Sequence, residues 1–217
     1  MKTIPQLTRE IISRKPFLLE LIAENLINLT ALARSIQPEI ENINREKVSV
    51  GSILMALKRH QEIITGKAKK IEECISYINN VMLISNLTEF TFSSVTNEGK
   101  KQSMLSQIRK IDSHAFLSYI KGVYELTIIT DSNHEEDIER IYKNDKKTGK
   151  EKNMSALILQ LPPDNIDVMG LYYYIFKQLA WDGIPISEVV STQNELILII
   201  KEIYIEQAFL LIQRLRT

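Results

Sequence analysis

Three histidines and one cysteine are the side chains most readily recruited to catalysis, and their spacing suits none of the common reactions. His60, His114 and His134 stand far apart, without the H-E-x-x-H or paired Cys/His spacing of a metal site. Cys74 shares an apolar helical stripe with Ile71, Ile75 and Ile78, where a thiol acts as a small buried hydrophobe, and a lone cysteine forms no internal disulfide. The acidic run His134-Glu135-Glu136-Asp137 opens a helix, where carboxylates oppose the helix dipole. No phosphate-binding G-x-x-x-x-G-K-[ST] or G-x-G-x-x-G occurs. We therefore expect no catalytic residue, no metal and no cofactor. The run Tyr172-Tyr173-Tyr174 spans about 200° of helix, so the three rings cannot share one core. At least one belongs at an interface or beside a loop.

The elements that must position these residues begin with a helical third. The chain has 217 residues, 44% hydrophobic and 25% charged, as in ordinary soluble proteins. No run of about 18 apolar residues would span a bilayer. The N-terminal MKTIPQLTREII is interrupted by Pro5 and Arg9 and lacks the core of a signal peptide, so a cytoplasmic protein without membrane contact is expected. The net charge of zero hides an asymmetry: residues 1–70 carry twelve Lys/Arg against seven Asp/Glu. That balance permits contact with a polyanion. Apolar stripes predict helices over Phe17–Leu26, over Asn28–Ile36, over Glu39–Asn44 after a break at Pro38, and over Ser52–Thr65, with Gln61–Asn80 as a connecting helix. This order is compatible with a helix-turn-helix plan in residues 1–80. DNA contact would then fall to Ser49, Ser52, Lys58 and Arg59 near a recognition helix, and to Arg34 and Lys47 at phosphates. Against it, Ile53, Leu54, Met55 and Leu57 leave few polar positions to read bases, and Lys58-Arg59 also serve as favourable helix C-terminal charges.

Beyond the helices, a βαββα order is legible twice. In the second copy Ala156–Leu161 is a continuous apolar run, as in a buried strand. Pro162-Pro163-Asp164-Asn165 ends it. A helix follows from Asp167, placed to cap it, to Trp181, with Val168, Leu171, Tyr172, Ile175 and Leu179 on one face. Strands Ile184–Thr192 and Glu195–Lys201 flank the turn Gln193-Asn194, and a last helix carries Ile205, Ala208, Phe209, Ile212 and Leu215. Upstream, Val81–Val95, a helix over Lys101–Ile111 (Met104, Leu105, Ile108 and Ile111 on one side), strands Phe116–Ile120 and Tyr124–Thr130, and a helix over Glu135–Tyr142 repeat the order about seventy residues earlier. A diverged duplication and two unrelated α+β segments both account for this. Lys143–Asn153, KNDKKTGKEKN, reads as a charged linker with nothing to bury.

The stretch LPPDNIDVMGLYYYIFKQLAWDGIPISEVVSTQNELILII resembles the second ACT domain of aspartate kinases, with no kinase domain attached. The matching positions are Asp167, Gly170, Gly183, Glu188, Val189, Val190, Ser191, Thr192 and Glu195–Ile200. Met169 stands where the family often has proline, which leaves the loop less constrained. The resemblance implies an α+β protein in which two ferredoxin-like ACT-like units, 81–142 (degenerate) and 155–217, follow the helical region and pair edge to edge. It also implies an amino-acid effector held by the loop before the helix and the facing strand end. The ligand candidates are thus Asn165, Asp167, Val168, Met169 and Gly170, with Ser191, Thr192, Gln193 and Asn194. Alternatively, Gly170 merely permits tight packing and the loop is empty. Asn28–Arg59 is similar to a region found before ACT-like domains in small predicted amino-acid regulators. The expected function is a non-catalytic regulatory protein, a homodimer, that senses an amino acid or related metabolite, with transcriptional regulation as one output. The alternative is a structural or protein-interaction module, or a regulatory subunit of amino-acid metabolism without DNA binding.

A full ACT domain has a fourth strand, and none is legible after either final helix. Ala156–Leu161 would then present an unpaired apolar edge, a liability for aggregation. We expect the first strands of the two units to pair into one larger sheet, within a chain or across a dimer.

Overall fold

Thr3 and Gln6 start the chain's first helix with a capping box, each side chain bonding the other's backbone N–H. The structure is a computed structural model that describes residues 2–216, apart from the side chains of Ser94, Glu98, Arg109 and Ile111. The expected place of Ile111 on its helix face thus lies outside the described residues. The chain divides into two units, Met1–Glu73 and Cys74–Thr217.

The first unit is helical: α1 (Ile4–Ser13), α2 (Pro16–Ala23), α3 (Leu29–Asn44) and most of α4 (Val50–Ser76). Its core joins Leu7, Ile12, Ile22, Ile36, Ile40, Ile53 and Leu57. Sequence periodicity did not resolve α1, and the expected break at Pro38 is corrected, because Pro38 sits inside a continuous α3. A proline in a helix interior costs about 3 kcal/mol. Leu32, Ala33, Ile36 and Ile40 are all buried along one face of α3, and each large aliphatic contributes about 1.5–3 kcal/mol. Continuity of that face outweighs the missing hydrogen bond.

The second unit runs β1 (Val81–Ser94), α5 (Glu98–Ile111), β2 (Leu117–Lys121), β3 (Leu126–Asp131), α6 (Glu135–Ile141), β4 (Lys146–Gln160), α7 (Leu171–Trp181), β5 (Glu188–Ser191), β6 (Glu195–Lys201) and α8 (Ile205–Arg216). The strands form one curled antiparallel sheet in the order β2-β3-β1-β4-β6-β5. The two first strands meet at its centre, Val81–Ile84 opposite Ala156–Leu159. On its other side Ala156–Leu159 pairs with Leu196–Ile199. The apolar edge foreseen in the sequence is therefore covered within the chain.

The linker reading of Lys143–Asn153 is wrong. β4 begins at Lys146, and its charged half pairs with Glu89–Ser94. Tertiary contacts explain it. Lys150 lies 5.1 Å above the Phe90 ring and 2.8 Å from Glu135, and Lys152 lies 2.7 Å from the same carboxylate. Asn86 and Asn153 adopt left-handed conformations (φ 60 and 55) on the two central strands. The pairing shifts register there, so each strand changes the face on which it alternates.

One face of the β1 half carries α5 and α6, with Phe90, Phe92, Leu105, Ile108, Ile138 and Ile141 buried between. Phe92 stacks on Tyr142, ring centroids 4.7 Å apart. The opposite face gathers Leu87, Ile129, Met154, Ala156 and Ile199, side chains supplied by the strands themselves.

Candidate ligand site

Pro162-Pro163 cannot continue the hydrogen-bonding ladder of β4, and the chain turns there. The turn then folds onto the loop between β5 and β6. Asn165, 6% exposed, donates its side-chain amide to the carbonyls of Pro162 and Gln193, both at 2.8 Å. The Leu161 N–H donates to the Asn194 carbonyl at 2.8 Å, and the Thr192 N–H to the Glu195 carbonyl at 3.0 Å. The hydroxyls of Tyr172 and Ser191 are 2.7 Å apart. The two candidate segments, distant in sequence, are thereby tied side by side.

The expected capping role of Asp167 is corrected. Asn165–Asp167 forms a single 3-10 turn, and α7 starts only at Leu171. Gly170 holds the N-cap in a left-handed conformation, φ 96, and its carbonyl accepts the Tyr174 N–H at 2.9 Å. Side chains with a Cβ resist that backbone, so the glycine is required by the turn itself. Asp167 and Met169 are exposed, and Val168 is half-buried. Similarly, the strand expected over Ile184–Thr192 is confined to Glu188–Ser191.

A solvent-open crevice of about 350 Å³ lies along the first of the two candidate segments and the start of α7, lined by Asn165, Ile166, Val168, Gly170, Leu171, Tyr172 and Tyr173, and not by Asp167, Met169 or Ser191–Asn194. Its lining carries no charged side chain. Tyr172 answers the expectation that one ring of the tyrosine run lies beside a loop; Ile166 and Leu171 carried no signal in the sequence beyond their apolarity. Among the described residues, no group of three or more His, Cys, Asp or Glu is placed to hold a metal ion. No helix there is long and apolar enough to cross a membrane.

One electrostatic feature was invisible in the sequence. Glu89, on the face of β1 opposite α5 and α6, has a buried carboxylate oxygen without a hydrogen-bond partner among the described residues. Burial, then the carboxylates of Glu188, Glu151 and Glu125, push its carboxyl up to about 7. Glu135 is the opposite case. Burial would raise it, but hydrogen bonds from Lys150, Lys152 and Thr88 outweigh burial and hold it at about 2.

In the helical unit, Arg34 lies on α3, Lys47 precedes α4, and Lys58 and Arg59 lie on α4, all exposed. Ser49 and Ser52 are also exposed, but their hydroxyls bond each other at 2.8 Å, and the Ser49 oxygen accepts the Ser52 N–H.

No protein-family model and no curated protein sequence matches the chain. Solved structures do match. Aspartate kinase of Clostridium acetobutylicum superposes with a TM-score of 0.53 at 17% identity, covering 64% of this chain and 35% of the kinase. The ligand-free regulatory subunit of aspartate kinase from Thermus thermophilus gives 0.50 at 8% identity, covering 64% of this chain and 99% of the subunit. The corresponding subunit from Thermus flavus gives 0.51 at 10%, with the same coverage. This chain thus spans about a third of the whole kinase and nearly all of the separate regulatory subunits. At these identities the likeness is one of fold, and about two thirds of this chain has the fold of an aspartate-kinase regulatory region, the ACT-type architecture to which its last sixty residues pointed.

Proposed function

We propose that the chain is a non-catalytic regulatory protein that binds an amino acid or related small metabolite between Asn165–Gly170 and Ser191–Asn194. The observation that carries this reading is the crevice ahead of α7, open to solvent and held in shape by Asn165 reaching Gln193. The start of a helix favours a carboxylate, and Gly170 lets backbone approach it closely. Ile166, Val168 and Tyr173 would face the ligand's side chain. These side chains offer apolar contact, which rewards an apolar ligand side chain. Apolar amino acids are therefore the preferred ligands. The fold shared with regulatory regions of aspartate kinases supports the regulatory role.

The helical unit would pass on the liganded state, with the ligand favouring one packing of the chain over another. DNA is one output, through Arg34, Lys47, Lys58 and Arg59. A protein partner is the second, favoured by a specific observation: Ser49 and Ser52 satisfy each other, and the α4 residue Met55 is 66% exposed near Lys58 and Arg59. Binding to a DNA duplex that weakens steeply with salt supports the first output; its absence at low salt supports the second. The ligand reading is tested by thermal shift against the twenty amino acids, repeated on Gly170→Trp. No stabilisation by any of them defeats it, and a shift that survives Gly170→Trp moves the site elsewhere.

A further inference from the structure

In the repeated order of elements, the loop entering α5 is the counterpart of the loop entering α7. Both deliver a left-handed residue to the helix N-cap, Asn97 with φ 52 and Gly170 with φ 96. Their contents differ. The α7 loop opens on a crevice free of charged lining. At the α5 loop a carboxylate is already in place. Asp145, from the connection between α6 and β4, has a side chain with no exposed surface. One of its oxygens accepts the Thr96 N–H at 2.9 Å and the Thr96 hydroxyl at 3.2 Å. The other meets the ammonium of Lys101, itself only 8% exposed. The same ammonium lies 5.1 Å from the Tyr142 ring centroid. Burial would raise the Asp145 carboxyl, but Lys101 and Thr96 outweigh it and keep the acid ionised below its usual range.

A lysine this deeply buried is rare and stays charged only beside a partner. For cohesion alone, apolar side chains of the same volume serve as well. The arrangement instead has the parts of an anion receptor: a backbone N–H, a hydroxyl and an ammonium converging on one carboxylate away from water. We propose that Thr96 and Lys101 form a carboxylate-binding site and that Asp145 fills it in cis. The loop of the first unit is thus closed to free ligand by the chain's own side chain, while that of the second stays open. A tethered group acts at an effective concentration of about millimolar or higher, so dilute free carboxylates do not displace it. Together with the proposed function, this gives one effector per chain despite two repeated units; the carboxylate site itself stands without that reading.

The test is chemical rescue of full-length Asp145→Ala, which vacates the site and leaves Lys101 buried without its partner. Its melting temperature should fall on the order of 10 °C. Sodium acetate or formate at a few hundred millimolar should restore roughly half of that loss, while wild type is unmoved and equimolar sodium chloride does nothing. Adding Lys101→Met should abolish the rescue. Asp145→Asn keeps the volume filled and should show no acetate response. Should Asp145→Ala not fold in buffer, its refolding yield with and without acetate gives the same readout. Equal acetate effects on wild type and Asp145→Ala, no acetate effect on Asp145→Ala, or rescue of Asp145→Asn would each overturn the proposal.

Discussion

Replacing Glu89 with Gln mimics the protonated acid at fixed shape and isolates the electrostatics of the sheet face opposite α5 and α6. The folded chain holds the Glu89 carboxyl at about 7 against an ordinary 4.5, through burial and then through Glu188, Glu151 and Glu125. A folded value above the unfolded one means that the native state prefers the proton. The stabilisation is complete below about pH 4.5 and is lost as pH rises through 7. The full shift corresponds to about 3 kcal/mol at 1.36 kcal/mol per unit. Glu89 keeps substantial contact with solvent, and screening reduces that to about 1–2 kcal/mol. At pH 8 Glu89→Gln should therefore melt about 2–6 °C above wild type, and at pH 4.5 the two should coincide. Paired thermal melts at those pH values, backed by urea titrations, measure the difference. An equal offset at both pH values, or a Gln variant less stable at pH 8, would show that the carboxylate is not strained by its neighbours.

Two further substitutions probe the central strand and the candidate site in turn. Glu135→Gln removes an acid held at about 2 by Lys150, Lys152 and Thr88; because that value is depressed, its stabilisation is present above about pH 4.5 and lost as pH falls towards 2. The variant should lose about 2 kcal/mol at pH 7 and converge with wild type in acid, as read by urea denaturation. Asn165→Leu leaves the carbonyls of Pro162 and Gln193 without their side-chain donor. It should cost about 2 kcal/mol and, by thermal shift, erase any amino-acid response; an intact response would separate the site from the Asn165 tether.

Where a segment's own side chains dictate its environment, the sequence was sufficient. Ala156–Leu161 is apolar at every position but Gln160, which requires burial on both faces, and it lies between β1 and β6. The stripe of Leu171, Ile175 and Leu179 fixes the buried face of α7. The same holds for Cys74, 5% exposed beside buried Ile75 and Ile78. Where distant partners decide, local patterning misled. Lys146–Asn153 has nothing apolar to bury, and its pairing with β1 and its contacts with Glu135, Glu139 and the Phe90 ring make it a strand. Asp167 has the chemistry of a cap, but the left-handed Gly170 moves the helix start past it. Glu89 and Asp145 look like ordinary solvated acids, since desolvation is a property of what folds over a side chain.

The charged half of β4 also has a positive role in specifying the sheet. A hydrophobic strand pair can slip by two residues with little loss of apolar contact, whereas a slip by one inverts every side chain. Along Lys150–Lys152 a one-residue slip would turn both ammonium groups away from Glu135, leaving that carboxylate little exposed and without its cations. Losing the partners of a buried charge costs about 3–5 kcal/mol, more than the pairing itself contributes to stability. A two-residue slip would carry Lys150 off the Phe90 ring and take Asn153 out of step with Asn86, whose left-handed turns both fall where the register shifts. The apolar half of β4 thus drives its burial, and the charged half determines which residues face one another. This division of labour explains why a segment composed like a linker is a central strand.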